Sequence, residues 1–380
     1  MKFGTKLIHN GNEIDEITGA LSIPIYQAST FHQKDIDNFS KYDYSRSGNP
    51  TREALEDTIA QLENGYRGFA FSSGMAATSS VLSIFSAGDH IIICEDVYGG
   101  TYRIASKVFS RFNIEFTFVD ASKLENIKKA VKPNTKGIFL ETPSNPLLKI
   151  TDLKGAIEIA KESNLIVIVD NTFMSPYLQR PLELGADIVV HSATKFIGGH
   201  SDVVGGLAVA KSKELSDRIY MIQNSFGAIL GPQDCWLLLR GLKTLKVRMD
   251  AHQRTAIKLA HWLEEREEIE RVYYPGLESH LGREIHFSQA SGSGAVLSFK
   301  FKTIEQTKYF LNNIENAAFA VSLGGVETIV SYPAKMSHAA IPKEERQSLG
   351  VSDTLIRISV GLEEFEDLAD SFNEAILSVL

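Results

Sequence analysis

Leu165-Ile166-Val167-Ile168-Val169-Asp170-Asn171 and, further along, Asp187-Ile188-Val189-Val190-His191-Ser192-Ala193-Thr194-Lys195 decide the fold class of this chain. Both are unbroken apolar, β-branched runs of strand length that end abruptly in polar residues. Apolar residues at consecutive positions, rather than alternating ones, belong to strands buried on both faces. Outward from this pair short β-rich runs recur at Gly68 to Ser72, His90 to Cys94, Glu115 to Val119, Lys136 to Glu141 and Gly206 to Ala210. Segments between them, such as Leu153 to Ser163, carry helical periodicity and are long enough for crossovers. Alternating strand and helix predicts an α/β architecture with a mostly parallel sheet. A long helical stretch from Pro232 through Arg266 then leads into a smaller α/β region with strand-like Ala295 to Phe301 and Leu355 to Val360. The first fifty residues, with turn formers at Asn10-Gly11 and Ser47-Gly48-Asn49-Pro50, read as an irregular arm. The expected division is an arm at 1–50, a large domain at 51–245 and a C-terminal small domain at 246–380.

Composition narrows the function. With 380 residues and a formal net charge of -8, the chain has no broad basic field for nucleic acid and no Lys/Arg block for an anionic membrane. Its opening residues lack the apolar run of a signal peptide and its apolar stretches are too short to span a bilayer, so a cytoplasmic protein is expected. Cys94 and Cys235 have no CxxC spacing and read as core thiols. His191, His200 and His338 lack zinc-ligand spacing, so no metal is expected.

Ligands of parallel sheets bind outside the carboxyl ends of the strands, which makes the strand-ending residues the informative ones. Here those are a carboxylate (Asp170), a lysine (Lys195) flanked by the hydroxyls of Ser192 and Thr194, and Ser72-Ser73-Gly74-Met75 opening a helix. Taken singly, each is unremarkable: a lysine is usually solvated, an Asp at a strand end is usually a turn former, and Ser-Ser-Gly is usually a cap. Together they are what pyridoxal 5′-phosphate (PLP) requires. An amine forms the imine, an acid keeps the pyridine nitrogen protonated, and backbone N–H groups at a helix start, from Gly74 and Met75, receive the phosphate. At the usual lysine pKa of about 10.4 only about 0.04% of the amine is neutral at pH 7, so Lys195 must be desolvated or placed beside another cation.

Longer motifs extend the set: Tyr44-Ser-Arg46-Ser-Gly-Asn-Pro-Thr51, Ser73-Gly74-Met75-Ala76, Asp96-Val-Tyr98-Gly-Gly100, Glu141-Thr-Pro-Ser-Asn145-Pro146, Val169-Asp170-Asn171, Ser192-Ala-Thr194-Lys195, Gly199-His-Ser-Asp202 and Ser322-Leu-Gly-Gly325. In these the whole chain resembles the γ-subfamily of PLP-dependent transsulfuration enzymes, the cystathionine γ-synthases, cystathionine β- and γ-lyases and methionine γ-lyases. The resemblance implies the fold type I architecture of PLP-dependent transferases. It implies Lys195 as cofactor anchor and proton shuttle, Asp170 on the pyridine nitrogen and Tyr98 stacked on the ring. Gly74, Met75, Ser192 and Thr194 would hold the phosphate, joined by Tyr44 and Arg46 from a neighbouring subunit, which implies a homotetramer of dimers that share active sites. Arg357, on the strand face opposite Ile356 and Ile358, would clamp the substrate α-carboxylate with Asn145 and Ser322 nearby.

Within the family, γ-synthases and many γ-lyases carry Glu before the Ser-Leu-Gly-Gly motif, where this chain has Val321, and methionine γ-lyases carry Cys where it has Gly100. The tail, with Met336-Ser-His-Ala-Ala-Ile-Pro-Lys-Glu-Glu-Arg346, is most similar to cystathionine β-lyases of Gram-positive bacteria and plants. The expected activity is therefore carbon–sulfur bond cleavage of a sulfur amino acid, β-elimination of L-cystathionine in methionine biosynthesis, with γ-lyase or γ-synthase chemistry as the alternative. A non-catalytic PLP-binding protein would show a substituted constellation, and no position of this one is substituted.

Overall fold

Each apolar run of the first half becomes a strand within a residue of the range expected: β1 Arg67–Phe71, β2 His90–Cys94, β3 Glu115–Val119, β4 Thr135–Glu141, β5 Ile166–Asp170, β6 Ile188–Ser192 and β7 Gly206–Ala210. The computed structural model describes residues 1–11, 14–339 and 341–377. The seven strands form one sheet in the order β1-β7-β6-β5-β4-β2-β3. Ile91, Ile92 and Ile93 of β2 are all fully buried, as the lack of alternation predicted. β7 runs antiparallel to both β6 and β1. The reason is local: residues 193–205 form no helix, so the chain returns directly beside β6 instead of crossing over. Strand order reverses between β2 and β4, and the crevice at this switch point lies outside their carboxyl ends.

A second sheet has five strands, β8 Ile269–Tyr273, β9 Val296–Phe301, β10 Ala318–Phe319, β11 Ile329–Ser331 and β12 Leu355–Ser359, in the order β10-β11-β12-β9-β8. Its own core includes Phe299, Phe301, Phe310 and Phe372, whose rings meet edge-on or tilted. Only β9 and β12 were anticipated. β10 and β11 have two and three residues, too few to show a period, and β8 carries Glu270 and Arg271 side by side.

The helical stretch expected from Pro232 to Arg266 is two helices, Pro232–Lys243 and Leu245–Glu264, separated at Thr244. The second threads both cores: Leu245 and Met249 pack in the first, Ala256, Leu259, Ala260 and Leu263 in the second. The arm is also more ordered than expected, since Phe3–His9 is a helix that buries Leu7 in the chain's own core. Beyond it Ile14, Ile17, Leu21, Ile36 and Phe39 all stand exposed. Cys94 and Cys235 are buried free thiols. No helix among the described residues is long and apolar enough to cross a membrane.

Candidate active site

Lys195 sits in the turn that ends β6. Its amide donates to the Ser192 carbonyl, and its carbonyl accepts from Gly199 N. From the helix Leu245–Glu264, the buried Arg248 guanidinium donates to the carbonyls of Phe196, Ile197 and Gly241, fixing the segment that carries the lysine. Lys195 Nζ donates to Ser322 Oγ at 2.6 Å. Burial first, and the Arg357 charge second, bring this amine down to about 8. The requirement read from the sequence is met by both routes at once.

Facing Lys195, the helix Gly74–Leu82 begins at Ser73, whose hydroxyl accepts from Ala76 N at 3.0 Å and whose carbonyl accepts from Ala77 N. That leaves the Gly74 and Met75 N–H groups as the free donors every helix start presents. The helix start is pressed against the ends of β6 and β7. A Cβ on Gly74 would lie 2.8 Å from the Ser192 side chain, and one on Gly206 only 2.0 Å from the Ser73 carbonyl oxygen. Ser192 N donates to Thr172 Oγ1, while the Thr194 hydroxyl both donates to Gly205 O and accepts from Gly205 N. Ser192 and Thr194 both line the cavity.

Asp170 ends β5 and lines the same cavity, with Oδ1 accepting from Thr172 N at 3.0 Å and Thr172 Oγ1 at 2.6 Å. Burial raises its carboxyl pKa, and these two hydrogen bonds oppose the rise. Tyr98 caps the helix Gly99–Lys107 and turns its ring into the cavity. Gly100 makes that seat: a Cβ there would lie 2.5 Å from Tyr98 Cε1 and 2.7 Å from Met75 Sδ. Any side chain at 100, cysteine included, would therefore move the ring.

The smaller sheet supplies the opposite wall. Arg357 on β12 is buried rather than solvated, with Nη1 donating to Asn145 Oδ1 at 2.9 Å and Nη2 to the Ser322 carbonyl at 2.7 Å and Ser331 Oγ at 3.1 Å. Its Nε has no hydrogen-bond partner, and desolvation lowers its pKa to about 10. Ser322, at φ 85°, is thus tied to both cations, through its hydroxyl to Lys195 and through its carbonyl to Arg357. The neighbouring Gly324 lets this loop approach, since a Cβ there would sit 2.6 Å from Phe196 N. Val321 stands at the rim, its side chain largely exposed and lining both this cavity and a second one beside it.

All of Lys195, Asp170, Tyr98, Gly74, Met75, Ser192, Thr194, Asn145, Val321, Ser322 and Arg357 line one cavity of about 470 Å³. Tyr44 and Arg46 do not. Arg46 donates instead to the carbonyl and side chain of Asn224 of its own chain, and its guanidinium lies 5.4 Å from the exposed Tyr44 ring. Sequence reasoning gave no role to Glu141, Thr172 or Ser331, which also border the cavity. Glu141 could have been found, because it ends β4 as Asp170 ends β5. Ser331 lies on β11, too short to be seen.

The residues present fit PLP: a glycine-cleared helix start with unpaired N–H groups, a carboxylate held by two donors, and a lysine amine with a lowered pKa share one cavity. The family model described as Cys/Met metabolism PLP-dependent enzyme matches residues 4–377. The cystathionine beta-lyase MetC of Bacillus subtilis is 55% identical over 375 residues, covering 99% of this chain and 96% of that protein. A cystathionine gamma-lyase of the same organism is 52% identical over 379 residues, covering 100% of both. Among solved structures, a cystathionine gamma-lyase from Lactobacillus plantarum complexed with L-serine superposes with a TM-score of 0.98 at 47% identity, covering 100% of this chain and 99% of that one. The chain belongs to the Cys/Met-metabolism family of PLP-dependent enzymes, with PLP as its cofactor, the fold type I architecture and the transsulfuration carbon–sulfur lyase chemistry of that family.

Proposed function

We propose that this enzyme is a cystathionine β-lyase, which splits L-cystathionine with water into homocysteine, pyruvate and ammonia. The observation that carries the reading is Val321, an apolar side chain at the rim beside Lys195 and Ser322. β-Elimination removes one proton, from Cα, and then breaks the Cβ–S bond. γ-Elimination must also remove a proton from Cβ, and Val321 offers no group to assist it. The named relatives include β- and γ-lyases at nearly equal identity, so the distinction rests on this pocket.

When bound, PLP supplies an electron sink for the charge left at Cα. The rest is done by the chain. Arg357 receives the substrate carboxylate, with Asn145 and Ser322 fixing the guanidinium in place. Asp170, kept in position by Thr172, would hold the proton on the pyridine nitrogen, Tyr98 would pack against the cofactor, and Gly74, Met75, Ser192 and Thr194 would receive the phosphate. Lys195, with its amine near neutrality and directed by Ser322, takes the Cα proton and can return it. The sulfur leaves as the thiol of homocysteine. We take residues 1–50 as an arm that carries Tyr44 and Arg46 to a neighbouring subunit's phosphate site, residues 51–245 as the cofactor-binding part and 246–380 as the part bearing Arg357. The arm's exposed apolar residues support an intersubunit contact, and the assembly we propose, in line with the family resemblance, is a homotetramer of two site-sharing dimers in the cytoplasm.

Incubation of the purified enzyme with L-cystathionine is expected to yield homocysteine and pyruvate, read by mass spectrometry; cysteine and 2-oxobutyrate as main products would instead establish a γ-lyase. Hydrogen bonds to charged groups contribute about 1.5 to 3 kcal/mol, so Arg357→Ala should raise KM about 10- to 150-fold while the visible cofactor band is kept. A KM within twofold of wild type would remove Arg357 from the clamp. Because the Lys195 amine titrates near 8 and only its neutral form reacts, the rate at which cofactor-free enzyme recovers its visible band on adding PLP should rise with pH and level off just above 8. A rise that continues to pH 10 would show an ordinary, solvated lysine.

A further inference from the structure

Glu141 is a buried carboxylate in the cavity wall to which none of the chemistry above assigns a task. It ends β4 in direct register with Asp170 at the end of β5, on one side of the point where strand order reverses. Its Oε2 accepts from the backbone N–H of Tyr98 at 2.9 Å, reaching across the reversal to the segment that follows β2. The backbone of Asn145 also lies near this carboxyl group. This side chain therefore holds in place the backbone of the residue that carries the Tyr98 ring.

The groups facing Glu141 are Asp170, Asp96, Cys94, Tyr98 and Arg357. Two of these are carboxyls, and Asp170 must be ionised to hold a pyridine N–H. A second negative charge on the neighbouring strand of a desolvated crevice would repel it. Asp170 is favoured for the charge because Thr172 gives it two donors, one of them a short hydroxyl bond. Burial, followed by Asp170 beside it, pushes the Glu141 carboxyl well above the usual carboxylate range.

We propose that Glu141 is a positioning residue that fixes Tyr98 over the cofactor, and that it acts as a neutral hydrogen-bonding group and not as a charge. This rests on the PLP site itself and not on the choice between β- and γ-elimination. Glutamine preserves the shape and one carbonyl acceptor while carrying no charge, whereas alanine leaves the Tyr98 N–H without its partner.

The test compares holoenzyme of Glu141→Gln and Glu141→Ala by visible circular dichroism of the cofactor band, which reports ring orientation, and by separate kcat and KM. Glu141→Gln should keep the wild-type dichroism and a kcat/KM within about threefold, while Glu141→Ala should weaken the dichroic band and lower kcat/KM about tenfold or more, in part through a higher KM. If Gln alters the band or activity as much as Ala does, the charge is what matters and the proposal fails. If Ala matches wild type in both readouts, Glu141 positions nothing. Should Ala fail to fold, the Gln variant still decides: a wild-type band and kcat/KM uphold the neutral role, and an altered band overturns it. Absence of the cofactor band from wild type itself would overturn the PLP reading and, with it, this role of Glu141.

Discussion

A lysine amine that must react near neutral pH cannot remain in water, and the architecture around Lys195 follows from that constraint. Lowering its pKa from the usual value to about 8 raises the neutral fraction at pH 7 from about 0.04% to roughly a tenth. Burial alone could do this at the edge of one sheet, but a buried cation with nothing to hold it would be costly and mobile. Here the second sheet closes over the end of the first. Ser322 binds the amine, Arg357 adds a like charge, and the Ser322 carbonyl holds Arg357 in turn. The proposed cofactor anchor and the proposed substrate clamp thus share one serine.

That closure depends on glycines where backbone meets backbone. Gly324 brings the Ser322 loop against Phe196, Gly206 admits the Ser73 carbonyl, and Gly74 lets the helix start lie on Ser192. Arg248 completes the scaffold from the helix Leu245–Glu264, satisfying the carbonyls that follow Lys195 and lying on the element that joins the two cores. Lys195 is therefore placed by a segment that the helix joining the two cores holds in position.

Much of this was legible in the residues. Strands buried on both faces announce themselves as unbroken apolar runs, and the edge strand β3, Glu-Phe-Thr-Phe-Val, as an alternating one, so β1 to β7 and the polar residues that end them could be found without a structure, and with them Lys195, Asp170 and the Gly74 helix start. Strand alternation set Arg357 apart from Ile356 and Ile358 but pointed it to solvent, and only the family resemblance suggested its place in the site. What could not be read lies where the periodic signal vanishes: β10 and β11 are too short, and Ser331 with them. Thr244 breaks the long helical pattern without proline or glycine. The arm's first helix escaped because Phe3–His9 has only Leu7 as its fully buried residue. Glu141 was overlooked for a different reason, since a carboxylate at a strand end has a bland reading until its register with Asp170 is known.

Reduction of the holoenzyme with borohydride, followed by proteolysis and peptide mass analysis, tests the placement of the cofactor most directly. The account predicts a phosphopyridoxyl group on the peptide containing Ser192-Ala193-Thr194-Lys195, attached to Lys195. Attachment to any other lysine, or none at all, would contradict it.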